Sequence, residues 1–146
     1  MTAFFKALAK AGFTGDIETG LAHRLVAATD NSIYQVLPSG VVFPKTKSDV
    51  VCLLGLGSKA PYEKLTFTAR GGGTGTNGQS LTEGIVVDMS RHMRGIVSVN
   101  VAEGWVLVEP GVVLDTLNDY LKPYGMCFAP SISPSNRATI GGMIAT

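Results

Sequence analysis

The chain has 146 residues, a hydrophobic fraction of 45%, a charged fraction of 16% and a net charge of +1. These values describe one ordinary globular domain with room for a core, and they exclude a disordered chain. No basic stripe interrupts the near-neutral charge, which argues against nucleic acid as a partner.

The N-terminal stretch MTAFFKALAKAG carries lysines inside its apolar run and lacks the unbroken centre of a signal peptide. The longest apolar run, around Val50 to Leu56, is too short to cross a bilayer. A cytoplasmic protein with no membrane span is expected. Thr2 is placed to cap a first helix that turns Phe5, Leu8 and Ala9 inward and stops at Gly12. A second helix is expected from Ile17 to Ala27, followed by a connecting loop from Asn31 to Gly40. Residues 1–40 thus form an N-terminal helical extension, and residues 41–146 the N-terminal portion of a cofactor-binding domain.

Val41-Val42-Phe43 reads as a buried strand stopped by Pro44. Thr46-Lys47-Ser48-Asp49 opens a helix in the manner of a capping box, with Val50, Leu53, Leu54 and Gly57 on its inner face. A strand over Leu65 to Ala69 completes a small parallel βαβ unit. Further strands are expected over Ile85–Asp88, Gly95–Asn100 and Trp105–Glu109, with Trp105 in the core. After Gly111 a helix shows Val113, Leu114, Leu117, Tyr120 and Leu121 on one side and is ended by Pro123 and Gly125. Met126 to Ala129 is expected as a last strand. The fold class is α+β (α/β): a βαβ subdomain followed by the start of a second mixed subdomain. Cys52 and Cys127 lack CxxC spacing and are expected as buried free thiols, and no metal site is expected.

Of the 18 glycines, five fall between Gly71 and Gly78, directly after a strand, in RGGGTGTNGQ. Successive glycines let neighbouring N–H groups turn toward one point and form a nest for an anion such as a diphosphate. Arg70 and the hydroxyls of Thr74 and Thr76 add donors. Gly73-x-Gly75-x-x-Gly78 matches the dinucleotide fingerprint, but only the six residues QSLTEG separate Gly78 from the next strand. No crossover helix fits there, so a Rossmann unit is excluded, and no Gly-Lys-Ser/Thr follows to make a Walker loop. A second polar loop, APSISPSNRATIGG from Ala129 to Gly142, offers serines and again a close glycine pair.

Taken together, RGGGTGTNGQ, GIVVDMSRHMRGI, VLVEPGV, FAPS and ATIGG resemble the FAD-binding domain of the vanillyl-alcohol oxidase and p-cresol methylhydroxylase (PCMH-type) superfamily, from about Val41 to Thr146. TDNSIYQVLPSGVVFP and SNRATIGGMIAT are similar to large bacterial enzymes that join this domain to an iron–sulfur domain and oxidise D-2-hydroxy acids, D-lactate or D-2-hydroxyglutarate. The resemblance implies that Gly71, Gly72, Gly73, Thr74 and Gly75, with Asn77 and Gly78, hold the FAD pyrophosphate. It implies that Pro130, Ser131, Ser133, Thr139, Gly141, Gly142 and Ile144 lie along the flavin and its ribityl chain. Many members have Pro-Asp-Pro where this chain has Pro130-Ser131-Ile132, so a carboxylate contact is lost or replaced there.

Relatives that attach FAD covalently use a histidine in or near the glycine loop. His23 and His92 lie elsewhere, as surface or capping residues, and FAD is expected to bind non-covalently. The implied reaction passes a hydride from the carbon bearing the substrate hydroxyl to the flavin and leaves a 2-oxo acid. No base and no cations for the substrate carboxylate form a constellation in this sequence, so no catalytic residue is assigned. Arg137, beside the second loop, fits either a phosphate or substrate contact or a surface ion pair. The chain stops within the apolar segment ATIGGMIAT, and truncation is inferred. The substrate domain and any iron–sulfur cluster then belong to a C-terminal region not in this sequence, and the fragment alone is inactive. The alternatives are NAD or ATP in the glycine cradle, a non-catalytic interaction module, or a superfamily member with an alcohol or sugar-nucleotide substrate.

Overall fold

A computed structural model describes residues 1–145; Thr146 lies outside the described residues. Helix α1 (Thr2–Lys10) packs Phe4, Phe5 and Leu8 into the core, and Ala9 is exposed, so the inner face is one residue earlier than the sequence suggests. Met1 stands at the cap position and Thr2 makes no capping bond. Burial of Phe4 and Leu8, at 1% and 0% exposure, contributes roughly 1.5–3 kcal/mol each.

The predicted second helix is divided. Its start is strand β1 (Asp16–Glu18), antiparallel to β2 (Gly40–Phe43) with Ile17 opposite Val42. Gly20, in an extended conformation, then begins α2 (Leu21–Ala27). Partner strand β2 lies outside the local window, and its ladder overrides the helical look of Ile17.

Strand β2 leads into α3 (Lys47–Gly57), where Thr46 and Asp49 form the expected reciprocal capping box. Asp49 is 2% exposed and accepts from the Thr14 N–H at 2.6 Å, the Lys45 N–H at 2.9 Å and the Thr46 N–H at 3.1 Å. Burial pushes its carboxyl up, but these donors outweigh that and hold it below the ordinary carboxylate range. Leu53 and Gly57 are the buried apolar positions of α3; Leu54 is exposed, contrary to expectation, because Asp49 occupies a place on the inner face.

Strands β3 (Phe67–Arg70) and β4 (Ile85–Asp88) complete a sheet of order β1-β2-β4-β3, in which β2, β4 and β3 run parallel. β4 is inserted between the two strands of the expected βαβ unit. The segment 71–84 therefore joins two adjacent parallel strands without a helix, and the glycine loop is itself the crossover. β2 is buried along its whole length, as a strand covered on both faces must be. Phe4, Leu8, Val42, Leu53 and Ile85 pack on one face; Ala27, Val41, Phe43 and Val86 pack on the other.

The second half begins with the hairpin β5 (Ile96–Asn100) and β6 (Trp105–Val108). Its inner residues Ile96, Val99, Val106 and Val108 pack against α4 (Leu114–Leu121), whose Leu114, Leu117 and Leu121 are buried. Trp105 is exposed at 45%, correcting its core assignment, and Tyr120, expected on the same side of α4 as the buried leucines, is exposed at 44%. Trp105 falls on the outer face of a two-stranded sheet that nothing among the described residues covers. A short turn, Lys122–Tyr124, ends α4 with Gly125 in the left-handed region at φ 67°, as Pro123 and Gly125 predict.

Residues 126–129 form no strand, since no neighbouring strand supplies a ladder; the Phe128 N–H is instead bound by the Asn118 side chain at 2.7 Å. The last element is α5 (Ile140–Ala145). Both cysteines are free, but Cys52 is half-buried and Cys127 exposed, so neither is the buried thiol expected. Among the described residues no helix is long and apolar enough to cross a membrane.

Candidate functional site

Strand β3 delivers Arg70 to the rim of a cavity of about 900 Å³, within the ~300–1,000 Å³ usual for cofactor pockets. One wall is the loop Gly71 to Gly75; the other is built from Pro130, Ile132, Pro134, Thr139, Gly141 and Gly142. Met89, Pro110 and Met143 also line it. Among the described residues the amides of Gly71 to Thr76 meet no acceptor in the protein. The Asn77 N–H is already taken by Gln79 Oε1 at 3.1 Å.

The two walls touch through backbone. A Cβ on Gly72 would strike the carbonyl of Arg137, and one on Gly71 would strike the Thr139 hydroxyl. Gly73 has φ 63°, a conformation strained for any other residue. The isolated antiparallel bridge between Thr139 and Val113, and the bonds from Ile140 N–H to Val112 O (2.8 Å) and Gly141 N–H to Pro110 O (2.9 Å), seat the second wall on the α4 half.

Thr139 is 2% exposed, and its Oγ1 has no hydrogen-bond partner among the described residues. An orphaned buried hydroxyl costs about 1–3 kcal/mol, and here it faces the glycine cradle. Free amides on one side, a buried hydroxyl on the other, and glycines where a Cβ would collide make a site for an anionic group approached closely by main chain. The residues present thus fit a diphosphate-bearing cofactor.

Arg70 is engaged below the loop: its guanidinium donates to Thr29 O at 2.8 Å and to Ser80 Oγ at 3.3 Å. The sequence-predicted residues Arg70, Gly71, Gly72, Gly73, Thr74, Gly75, Pro130, Thr139, Gly141 and Gly142 line the cavity together. Thr76, Asn77, Gly78, Ser131, Ser133 and Ile144 are not in its lining; Ser131 and Ser133 are exposed, and Ile144 is 76% exposed. Ile132 and Ser80 line it without having been singled out, for neither carries a local signal. Arg137 is exposed and, among the described residues, forms no ion pair; it contributes its carbonyl to the wall contact.

Both histidines lie away from the cavity. His23 Nδ1 is 3.2 Å from Glu18, and His92 Nε2 is 2.7 Å from Asp16. The His92 hydrogen bond, reinforced by Arg91 and Lys45 against the opposing effect of burial, holds the Asp16 carboxyl at about 2. Among the described residues no group of three or more His, Cys, Asp or Glu side chains could hold a metal ion.

Comparison with known proteins gives the same picture. The family model described as FAD binding domain matches residues 38–146. The D-2-hydroxyglutarate dehydrogenase of Escherichia coli (strain K12) is 58% identical over 143 residues, covering 98% of this chain and 14% of that protein. The mitochondrial D-lactate dehydrogenase [cytochrome] of Arabidopsis thaliana is 35% identical over 112 residues, covering 75% of this chain and 19% of that protein. The chain therefore spans about a seventh of the length of the first of these relatives. Among solved structures, an alkyldihydroxyacetonephosphate synthase superposes with a TM-score of 0.86 at 21% identity, over 100% of this chain and 32% of that one. The fold is the expected PCMH-type FAD-binding fold.

Proposed function

The chain belongs to the FAD binding domain family, and on that premise we propose that it is the FAD-holding part of a dehydrogenase that oxidises a D-2-hydroxy acid to a 2-oxo acid. The observation that carries the reading is the pairing of unbonded loop amides with the orphaned Thr139 hydroxyl across one cavity. Gly71, Gly72, Gly73, Thr74 and Gly75 would hold the diphosphate, with Thr76, Asn77 and Gly78 shaping the loop's return. Each charge-assisted bond from a loop amide contributes roughly 1.5–3 kcal/mol. Pro130, Ile132, Thr139, Gly141 and Gly142 would face the flavin and its ribityl chain, with Ser131, Ser133 and Ile144 on the outer side of that segment.

Bound flavin supplies the hydride acceptor for the carbon that bears the substrate hydroxyl. The protein's part in this chain is to bind and orient: apolar Pro130, Ile132 and Met143 exclude water from one side, while main-chain donors neutralise the phosphates. A base for the hydroxyl proton and cations for the substrate carboxylate are assigned to the remaining length of the enzyme, along with any iron–sulfur cluster. A cytoplasmic location belongs to the same reading. Titration of the purified chain with FAD, followed by quenching of flavin fluorescence, tests it: saturable 1:1 binding is expected, and binding of NAD or ATP but not FAD would overturn it.

A further inference from the structure

The segment just before β2 holds the glycine loop from outside. Five glycines make the loop costly to order, and the amides of Gly71 to Thr76 form no bond within the protein that would fix them. An anion nest needs those amides already aligned when the ligand arrives. Besides its contact with the facing wall, the loop is held by residues 29–34. The Asn31 N–H donates to Gly73 O at 3.1 Å. The Arg70 guanidinium lies under Gly73, where a Cβ would collide with it. That guanidinium is tied by Thr29 O at 2.8 Å and by Ser80 Oγ at 3.3 Å. Ser80, only 8% exposed, in turn donates its hydroxyl to Asp30 Oδ2 at 3.0 Å, and Asp30 Oδ1 accepts the Ser32 N–H at 2.8 Å. At the far end the Tyr34 ring lies 3.0 Å from where a Cβ of Gly78 would stand.

We propose that residues 29–34 are a clasp in which Asp30, acting through Ser80 and Arg70, positions the glycine loop to receive a diphosphate. The inference rests on the flavin-binding reading of that loop. It goes beyond it, because these residues precede position 38, where the match to the family model begins. Asp30 does not line the cavity; its role is that of a positioning residue. Burial pushes its carboxyl up, yet the bonds from Ser32 and Ser80 and the charge of Arg70 hold it below the usual range, so it stays ionised at neutral pH.

The test uses Asp30→Ala, Asp30→Asn and Ser80→Ala in the 146-residue chain. ¹⁵N relaxation of the loop amides is measured without ligand, and FAD affinity by flavin fluorescence. In the unaltered chain the amides of residues 71–76 are expected near the rigid order parameter of ~0.85, falling below ~0.6 in both alanine variants. Asp30→Asn keeps an acceptor and a polar group for Ser32 and Ser80, and it should restore most of the rigidity. The FAD dissociation constant is expected to rise roughly tenfold in the alanine variants and by under about threefold in Asp30→Asn. Loop amides that stay rigid in Ser80→Ala, or an Asp30→Asn variant as loose as Asp30→Ala, would overturn the clasp. Should the chain take up no FAD while the relaxation changes appear, the clasp stands and the flavin reading fails. Ser80→Ala leaves the Asp30–Ser32 turn intact, so it decides the matter if Asp30→Ala does not fold.

Discussion

The two walls of the cavity are made by opposite strategies. The glycine wall offers chiefly main chain: unbonded amides on a loop whose shape is set by neighbours. The facing wall offers side chains, chiefly the buried Thr139 hydroxyl and the apolar Ile132 and Met143, on a segment tied by its own backbone bonds to α4. The difference teaches where each wall is vulnerable. On the first, any added Cβ damages the site; on the second, the site can lose chemistry without losing shape.

The largest effect is expected from Gly72→Val, whose side chain meets the Arg137 carbonyl, a backbone atom that cannot swing aside. The walls would part, costing about 1–3 kcal/mol of stability, and FAD affinity should fall by at least about 100-fold in a fluorescence titration. Near-normal binding in this variant would show that the walls do not need to touch.

A smaller and more selective effect is expected from Thr139→Val, which keeps the shape and removes the orphaned hydroxyl. The ligand-free chain should melt no lower, and up to about 1 kcal/mol more stably, since an unpaired polar group has been replaced by an apolar one. FAD should nevertheless bind roughly 5–10-fold more weakly, for lack of one hydrogen bond. Equal losses in both measurements would mean that the hydroxyl only fills space.

The mildest test is acid. Asp16, Asp30 and Asp49, whose carboxyls are all held low, stand on the sheet side of the molecule. A depressed carboxylate contributes stability that is fully present above its unfolded value near 4 and is lost as pH falls through its folded value. For Asp16 that value is about 2, so the thermal midpoint should hold steady from pH 7 to about 4 and decline from there toward 2. Amide exchange should then rise in β1 and at the start of α3 before it rises in α4. The reverse order would show that the hairpin half is the weaker one.

How much of this was legible in the sequence depended on distance along the chain. β2, α3 and β4 were readable because valine runs, a capping box and terminal prolines or glycines are local signals. β1 was not, because three residues reveal themselves only through their pairing with β2. The strand expected at Met126 to Ala129 failed for the converse reason: an extended, apolar stretch is no strand without a neighbour. Both loops stood out by composition, and the resemblance to flavin domains supplied the roles of their residues. The clasp was invisible, since Asp30 and Ser80 meet across 50 positions of sequence. Tyr120 and Trp105 misled because periodicity reports amphipathic faces, and aromatic rings at the edge of such a face look internal.

Trp105 is the single tryptophan of the chain, and its indole N–H donates to Glu103 Oε2 at 2.6 Å on the outer face of the β5–β6 hairpin. Intrinsic emission at long wavelength is therefore a local gauge: it registers fraying of that hairpin and is nearly blind to the parallel sheet. A denaturation curve followed by tryptophan light reports the hairpin alone, whereas one followed by far-ultraviolet dichroism averages over every helix and strand. A gap between the two shows that the hairpin half and the rest do not unfold as one unit.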